Sequence, residues 1–356
     1  MKLLERARPE IMAMQPYSSA RMEAGQATIM LNANESPWAP PGDDDCGLNR
    51  YPDPQPKALR MRLADLYGVA AEQVLVGRGS DEAIDLLVRA FCREGRDTIL
   101  ISPPTFGMYA VAARTQGAAV IEAPLAAGFA VDADALLAKV SDSTRLVFVC
   151  TPNNPTGALV PLLTVERLAT ALRDRALVVV DEAYLEFAGD APSATALLAR
   201  HDNIAVLRTL SKAYALAGAR VGTLIAHADV VALLRRIQAP YPVPAPCADA
   251  ALAALSAQGI AQARERIAIL RGERERLARA LPSARGVLAV YPSTANFLCV
   301  RFADAQAAYR ALLAAGIVVR DVGRYPQLAD CLRVTIGTPQ ENAALLGALG
   351  LREAVA

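Results

Sequence analysis

The chain has 356 residues, 53% hydrophobic and 21% charged, and its basic and acidic residues nearly cancel to a formal charge of +1. That length is more than one core usually organises, so one large domain and one smaller one are expected. The balanced charge offers no electrostatic surface for nucleic acid or an anionic membrane, and points instead to small-molecule substrates.

Six cysteines (Cys46, Cys92, Cys150, Cys247, Cys299 and Cys331) are scattered without a CxxC pair, several of them inside apolar runs such as LVFVC and NFLCV. They read as buried free thiols in a reducing cytoplasm. The two histidines, His201 and His227, have no clustered partners, so neither a metal site nor a serine–histidine hydrolase is expected. The opening MKLLERARPEIMAM carries charges throughout and has no apolar signal-like core, and no stretch is apolar for the length of a membrane span.

Residues 1–50 are irregular and rich in Pro, Asn and Asp, and read as an arm and a crossing segment laid over another part of the molecule. KALRMRLADLYG follows as a helix stopped by Gly68. Seven apolar runs then read as strands: 73–77, 98–102, 118–123, 145–150, 176–184, 204–211 and 220–226. Helices are expected between most of them, near 81–93, 105–116, 132–140 and 161–174. Continuously apolar strands separated by helices indicate an α/β fold whose sheet is mostly parallel and covered on both faces. Residues 246–281 read as a long helix, heavily charged on one face. Beyond it come strand NFLCVRF, helix AQAAYRALLAAG, strands IVVRD and CLRVTIG, and a last helix opened by a Thr338-Pro339-Gln340-Glu341 capping box. The expected division is an arm over 1–30, a large domain over 51–282, and a smaller α+β domain from 31–50 with 283–356.

In such sheets chemistry gathers beyond the C-terminal ends of the strands. There the sequence places RGSDE after QVLVG, TPNNPTG after LVFVC, DEAY after LVVV, and SK after IAVLRTL, with GARVG a little further on. Taken singly these are a turn, a helix cap and a solvated lysine. Taken together and in this order they resemble the fold-type-I aminotransferases that use pyridoxal 5'-phosphate (PLP). The resemblance runs from about residue 17 to the C-terminus. PYSSAR, LNANE, YPDP, GRGSDE, PPTFGMY, PNNPTG, DEAY, RTLSKAYALAGARVG, APYPV and LRVTIG are similar to the histidinol-phosphate aminotransferases in particular.

That resemblance implies a role for each matching residue. Lys212 would carry the cofactor as a Schiff base and then move the substrate proton. Asp181 would face the pyridine nitrogen and stabilise its protonated form. Asn154 and Tyr184 would bind the phenolic oxygen, and Phe106, where many relatives have Tyr, would stack on the ring. Ser80, Asp81 and Glu82 at a helix start, with Ser211 and Arg220, would hold the phosphate. Tyr51 would reach that phosphate from a partner subunit, which implies a homodimer with shared sites. Arg320 and Arg333, with Tyr17 and Asn34, would line the substrate pocket, the arginines reading a phosphate or carboxylate. The implied reaction is L-histidinol phosphate plus 2-oxoglutarate to imidazole acetol phosphate plus L-glutamate, in histidine biosynthesis. Threonine-phosphate decarboxylase and aromatic amino acid aminotransferase are the alternatives on the same fold. A non-catalytic regulator would need an attached DNA-binding module, for which the span of the resemblance leaves no room.

Overall fold

The computed structural model describes residues 2–17, 29–43 and 46–351. Most of PYSSAR and part of the expected arm lie outside the described residues. All seven anticipated strands form one sheet: β1 (Val74–Arg78), β2 (Thr98–Ile101), β3 (Ala119–Glu122), β4 (Thr144–Cys150), β5 (Leu177–Asp181), β6 (Ile204–Thr209) and β7 (Val221–Ala226). Their order is β1-β7-β6-β5-β4-β2-β3. Strands β2 to β6 are parallel, and β7 runs antiparallel between β1 and β6.

The apolar runs account for the layering. Every residue of β4, β5 and β6 is buried, as expected for strands with helices on both faces. On one face Ile99, Phe148, Val179 and Leu207 pack against Ile84, Leu87 and Phe91 of the Ser80–Phe91 helix. On the other, Val147, Val178 and Val206 pack with Val165 and Leu168 of the Leu162–Ala171 helix. Helix Lys57–Tyr67 ends at Gly68, whose left-handed φ of 65° suits glycine. Residues near the N-terminus have no core of their own: Leu3, Ala7 and Ile11 complete the first cluster, and the Arg8 amide donates to the Ala90 carbonyl at 2.9 Å.

The second layer is a four-stranded antiparallel sheet in the order β10-β11-β9-β8: β8 (Val287–Val290), β9 (Phe297–Phe302), β10 (Arg320–Asp321) and β11 (Cys331–Thr335). Leu298, Val300, Leu332 and Val334 pack against Leu312, Leu345 and Leu277 from three covering helices. The capping box at Thr338 forms, with Glu341 N donating to Thr338 Oγ1 and the Thr338 amide to Glu341.

Four details depart from expectation. The long helix is two, Ala245–Ala254 and Ala257–Ala280, because Ser256 caps the second by accepting from Gly259 N at 3.1 Å. A Cβ on Gly259 would stand 2.3 Å from the Ala254 carbonyl oxygen, so the junction requires glycine there. Strand IVVRD shrinks to Arg320–Asp321, the sheet's edge, with Val318 74% exposed. Strand β8 arises from a half-exposed run that carries no clear alternation. Finally, Cys46 is exposed and Cys247 partly so, whereas the other four thiols are buried.

An ion network lies beneath the sheet's functional end. Arg208 on β6 donates to Glu182 and to Glu186, both at 2.8 Å, and its guanidinium lies over the Tyr67 ring. All three charged groups are withdrawn from solvent. Removing the one cation would strand two carboxylates, at a cost of about 3–5 kcal/mol. Arg208→Met should therefore lower the denaturation midpoint of apo- and holoprotein markedly, and an unchanged midpoint would show the network to be expendable.

Candidate active site

The parallel strands β4, β5 and β6 end side by side, with Cys150 opposite Asp181 and Asp181 opposite Leu207. The loops beyond them deliver the polar residues. After β4, the buried Asn153 ties the TPNNPTG loop down, donating to Pro104 O and Thr156 Oγ1 at 2.9 Å and accepting from Thr105 Oγ1 at 3.0 Å. Asn154 is thereby aimed into the cleft, where its Nδ2 is 3.4 Å from the Tyr184 hydroxyl. Strand alternation splits the Asp-Glu pair after β5. Asp181 lines the cleft, while Glu182 turns to Arg208 on the opposite face.

After β6 the chain turns through Ser211-Lys212 and returns at Arg220, with Ala215 (φ 56°) and Arg220 (φ 54°) both left-handed. Non-glycine residues seldom adopt this conformation, and it is tolerated where the surroundings impose it. Arg220 thus reaches Ser211 Oγ at 3.5 Å and Asp81 Oδ2 at 3.2 Å. Gly79 and Gly222 make that end of the cleft possible. A Cβ on Gly79 would stand 2.6 Å from the Arg220 guanidinium, and one on Gly222 only 2.3 Å from Ser80 N.

Lys212 stands where two hollows meet. The first is walled by Ser80, Asp81, Phe106, Asp181, Ser211 and Arg220. The second, about 460 Å³, opens toward the small sheet and is lined by Arg320, Arg324, Arg333 and Tyr325. The Lys212 ammonium pKa is lowered, by desolvation first and by the Arg333 charge next. This favours the neutral amine, the form that attacks a carbonyl.

Asp181 is 2% exposed, and burial pushes its carboxyl up to about 6. Two hydrogen bonds oppose that shift, from Tyr109 Oη at 2.7 Å and from Ala183 N at 3.1 Å. No salt bridge to it forms among the described residues. Tyr109 was not anticipated. It is fully buried, stacked on Phe148 with centroids 4.5 Å apart and edge-on to Phe106 at 5.6 Å. Its place in PPTFGMY was the available signal. Arg324, the third arginine at the mouth, was also missed.

Arg333 NH1 donates to Asn154 Oδ1 at 2.5 Å, so the small sheet reaches the β4 loop directly. Arg320 faces Arg333 across the β10–β11 ladder. Other expected residues are placed elsewhere within the chain. Glu82 turns its carboxylate to the Arg78 amide at 2.8 Å and to Gln238, away from the Arg220 end. Tyr51 is 48% exposed and stacks on Tyr241 at 4.5 Å. Tyr17, 66% exposed, lies beside Gln55 and Arg235 rather than Lys212. Asn34 is exposed, with a left-handed φ of 56°.

Residues 30–349 match the model of the family described as aminotransferase class I and II. The chain belongs to that family. The histidinol-phosphate aminotransferase of Stenotrophomonas maltophilia is 57% identical to this aminotransferase over 99% of this chain and 98% of its own. Among solved structures, the histidinol-phosphate aminotransferase of Sinorhizobium meliloti in complex with pyridoxal-5'-phosphate is 27% identical, with a TM-score of 0.78 and 95% of each chain covered. An L-threonine-O-3-phosphate decarboxylase of Porphyromonas gingivalis is 25% identical, with a TM-score of 0.73, over 86% of this chain and 90% of its own.

The first hollow fits pyridoxal phosphate on its own chemistry. A buried carboxylate with its pKa raised by desolvation is the partner a ring-nitrogen cation needs. A helix start beside Arg220 and Ser211 suits a phosphate. Lys212 lies between them, and the flat face of Phe106 lies alongside. No group of three or more His, Cys, Asp or Glu side chains among the described residues could hold a metal, and no described helix is long and apolar enough to cross a membrane.

The acid titration follows from Asp181. Below about pH 6 the apoprotein carboxyl carries its own proton and no longer attracts a ring cation. Cofactor binding should weaken as pH falls through that value. Tyr109→Phe deletes a hydrogen bond that favours the carboxylate, worth about 1.5–3 kcal/mol, so this limb should move up by about one pH unit or more. Equilibrium binding followed by absorbance across about pH 5–8 measures it, and a limb unmoved in the variant would separate Tyr109 from the titration.

Proposed function

We propose that this aminotransferase acts on L-histidinol phosphate and 2-oxoglutarate, giving imidazole acetol phosphate and L-glutamate, with PLP as cofactor. The supporting observation is the position of Lys212 between a hollow that fits the cofactor and a second hollow rimmed by arginines. The 57% identity to the Stenotrophomonas enzyme over nearly the full length of both chains agrees with it.

When bound, the cofactor supplies an aldehyde that condenses with amines and a pyridinium ring that withdraws electrons from the substrate's Cα. In this reading the chain's own groups divide the remaining work. Ser80, Asp81, Ser211 and Arg220 anchor the phosphate, the first two through the free amides of a helix start. Asp181 keeps a proton on the ring nitrogen, and Tyr109 keeps Asp181 ionised. Asn154 and Tyr184 hold the phenolic oxygen, and Phe106 covers one face of the ring. Lys212 would hold the cofactor through its aldehyde and, as a free amine, would take the proton from the substrate's Cα. Burial and the Arg333 charge lower its pKa, which favours the free-base amine that role needs. Arg320 and Arg333 bind the anion at the far end of the donor, a phosphate in one half-reaction and a carboxylate in the other.

Steady-state assays with three donors test the reading. Histidinol phosphate should be used far better than histidinol, and threonine phosphate should release no carbon dioxide. Arg320→Ala should cut kcat/KM for histidinol phosphate by about 10–100-fold while leaving histidinol nearly unaffected. Equal use of histidinol and its phosphate would remove the case for phosphate recognition, and decarboxylation of threonine phosphate would make the enzyme a lyase.

We further infer a homodimer with shared sites. Tyr17, Ile29, Leu31, Trp38 and Tyr51 expose 48–90% of their surface, an apolar display that a partner subunit would cover. In that assembly Tyr51 reaches the partner's cofactor phosphate, and Tyr17 and Asn34 the partner's substrate. Mixing Lys212→Ala subunits with Tyr51→Ala subunits should restore activity through heterodimers that carry one intact site. Continued inactivity after verified subunit exchange would count against shared sites.

A further inference from the structure

Arg324 stands at the mouth of the second hollow with Arg320 and Arg333, in a loop between β10 and β11 that the sequence gives no reason to single out. Its guanidinium is held in place from two sides. It lies over the Tyr325 ring, 4.9 Å from the centroid, and donates to the Tyr325 hydroxyl at 3.1 Å. That hydroxyl in turn donates to Thr105 O at 2.7 Å, so the loop is tied to the segment carrying Phe106. On the other side lies Gly107. Its φ of −68° and ψ of −19° are open to any residue, so backbone conformation does not call for glycine here. A Cβ at 107 would stand 2.7 Å from Arg324 NH2, so a side chain there would displace the guanidinium from its present position.

No carboxylate pairs with this cation among the described residues. The nearest in sequence, Asp321, accepts from Gly323 N at 2.8 Å and from Gln306 Nε2 at 2.7 Å, bracing its own turn. The rim therefore gathers three arginines, two of them directly opposite each other on β10 and β11, an arrangement of like charges that is costly without an anion between them. Arg333 has one N–H committed to Asn154. A carboxylate is satisfied by one bidentate arginine, whereas a phosphate dianion presents three oxygens and calls for more than one cation.

We propose that Arg324 is a specificity-determining residue, a second cation beside Arg320 that recognises a phosphate dianion and distinguishes it from a carboxylate. This rests on the donor being a phosphorylated amine, as proposed above. Arg324 lies at the solvent edge, so its effect is screened by salt.

The holoenzyme tests this with histidinol phosphate, histidinol and glutamate as donors. Arg324→Met keeps the aliphatic stem over Tyr325 and removes the charge. It should lower kcat/KM for histidinol phosphate by about tenfold at low salt, with less loss at high salt, and change the other two donors by less than about twofold. Arg324→Lys should recover part of the loss. Gly107→Ala, which pushes the guanidinium aside without removing it, should reproduce part of it. Binding of inorganic phosphate to the holoenzyme, measured by titration calorimetry, should weaken in parallel. An equal loss for all three donors would reduce Arg324 to a clamp on the loop, and no loss for any would remove it from recognition. A wild-type enzyme indifferent to the donor's phosphate would instead overturn the functional reading, whatever the variants do.

Discussion

A carboxylate with almost no access to water sets the terms for the rest of the site. Asp181 ends β5, a strand covered on both faces, so any cation that meets it must come through the cleft. Its pKa rises from 3.8 to about 6 because burial penalises the charged form. The folded apoprotein therefore binds that proton more tightly than the unfolded chain. The stability from this group is full below 3.8 and falls as pH rises to about 6. At neutral pH the ionised carboxylate costs on the order of 3 kcal/mol, two pKa units at 1.36 kcal/mol each. Tyr109 and the Ala183 amide offset only part of the desolvation. A pyridinium cation held against the remaining lone pairs, as proposed for the cofactor, would offset more and would couple cofactor binding to fold stability at one residue.

The same logic links the two sheets. Asn154 donates to Tyr184 within the large sheet's loops and accepts from Arg333 of the small sheet. Thr294 N and Oγ1, just before β9, both approach Gly157 O. Tyr325 bonds to Thr105 and Gln327 to Leu125. These polar contacts surround the cleft, and one apolar cluster joins the two sheets beside it, with Tyr184, Phe187 and Ala213 packed against Ala295 and Phe297. Hydrogen bonds at a wet cleft exchange with water at little net cost, about 1 kcal/mol each. The small sheet is thus held over Lys212 by a small apolar contact ringed by exchangeable hydrogen bonds.

How much of this the sequence disclosed depends on range. The seven strands were legible because β4, β5 and β6 are apolar runs bounded by turn residues. Asn154, Asp181 and Lys212 were legible as polar residues where those runs stop, together with the resemblance that assigned them roles. Tyr109 was not, since an aromatic in MYAVAA reads as core, and its partner lies 72 residues away. Arg324 was hidden for a similar reason: a loop arginine takes its meaning from Gly107 and Tyr325 in space. The break at Ser256 was obscured by good helix formers on both sides, where one capping hydroxyl decided the outcome. The Glu82 carboxylate turns to Arg78 N and Gln238, the latter 156 residues away, a contact that no local pattern discloses.

The net charge of +1 conceals local clustering. The inner hollow holds Asp181 and Asp81 with Lys212 and Arg220, and the rim toward the small sheet holds Arg320, Arg324 and Arg333 beside the single carboxylate of Asp321. A donor whose amine must reach Lys212 gains from the rim only if it carries an anion at its far end. Charge placement therefore selects for the separation between amine and anion, and says little about what lies between them. If Arg320 and Arg333 read both anions, as proposed, one cleft would serve two chemically unlike donors in alternate half-reactions. Discrimination between them then falls to the anion itself, through how many cations it can engage at once. In L-histidinol phosphate the amine-bearing carbon carries the phosphate arm and the imidazole arm separately, so with amine and phosphate held, the seating of the imidazole sets which way the Cα hydrogen points.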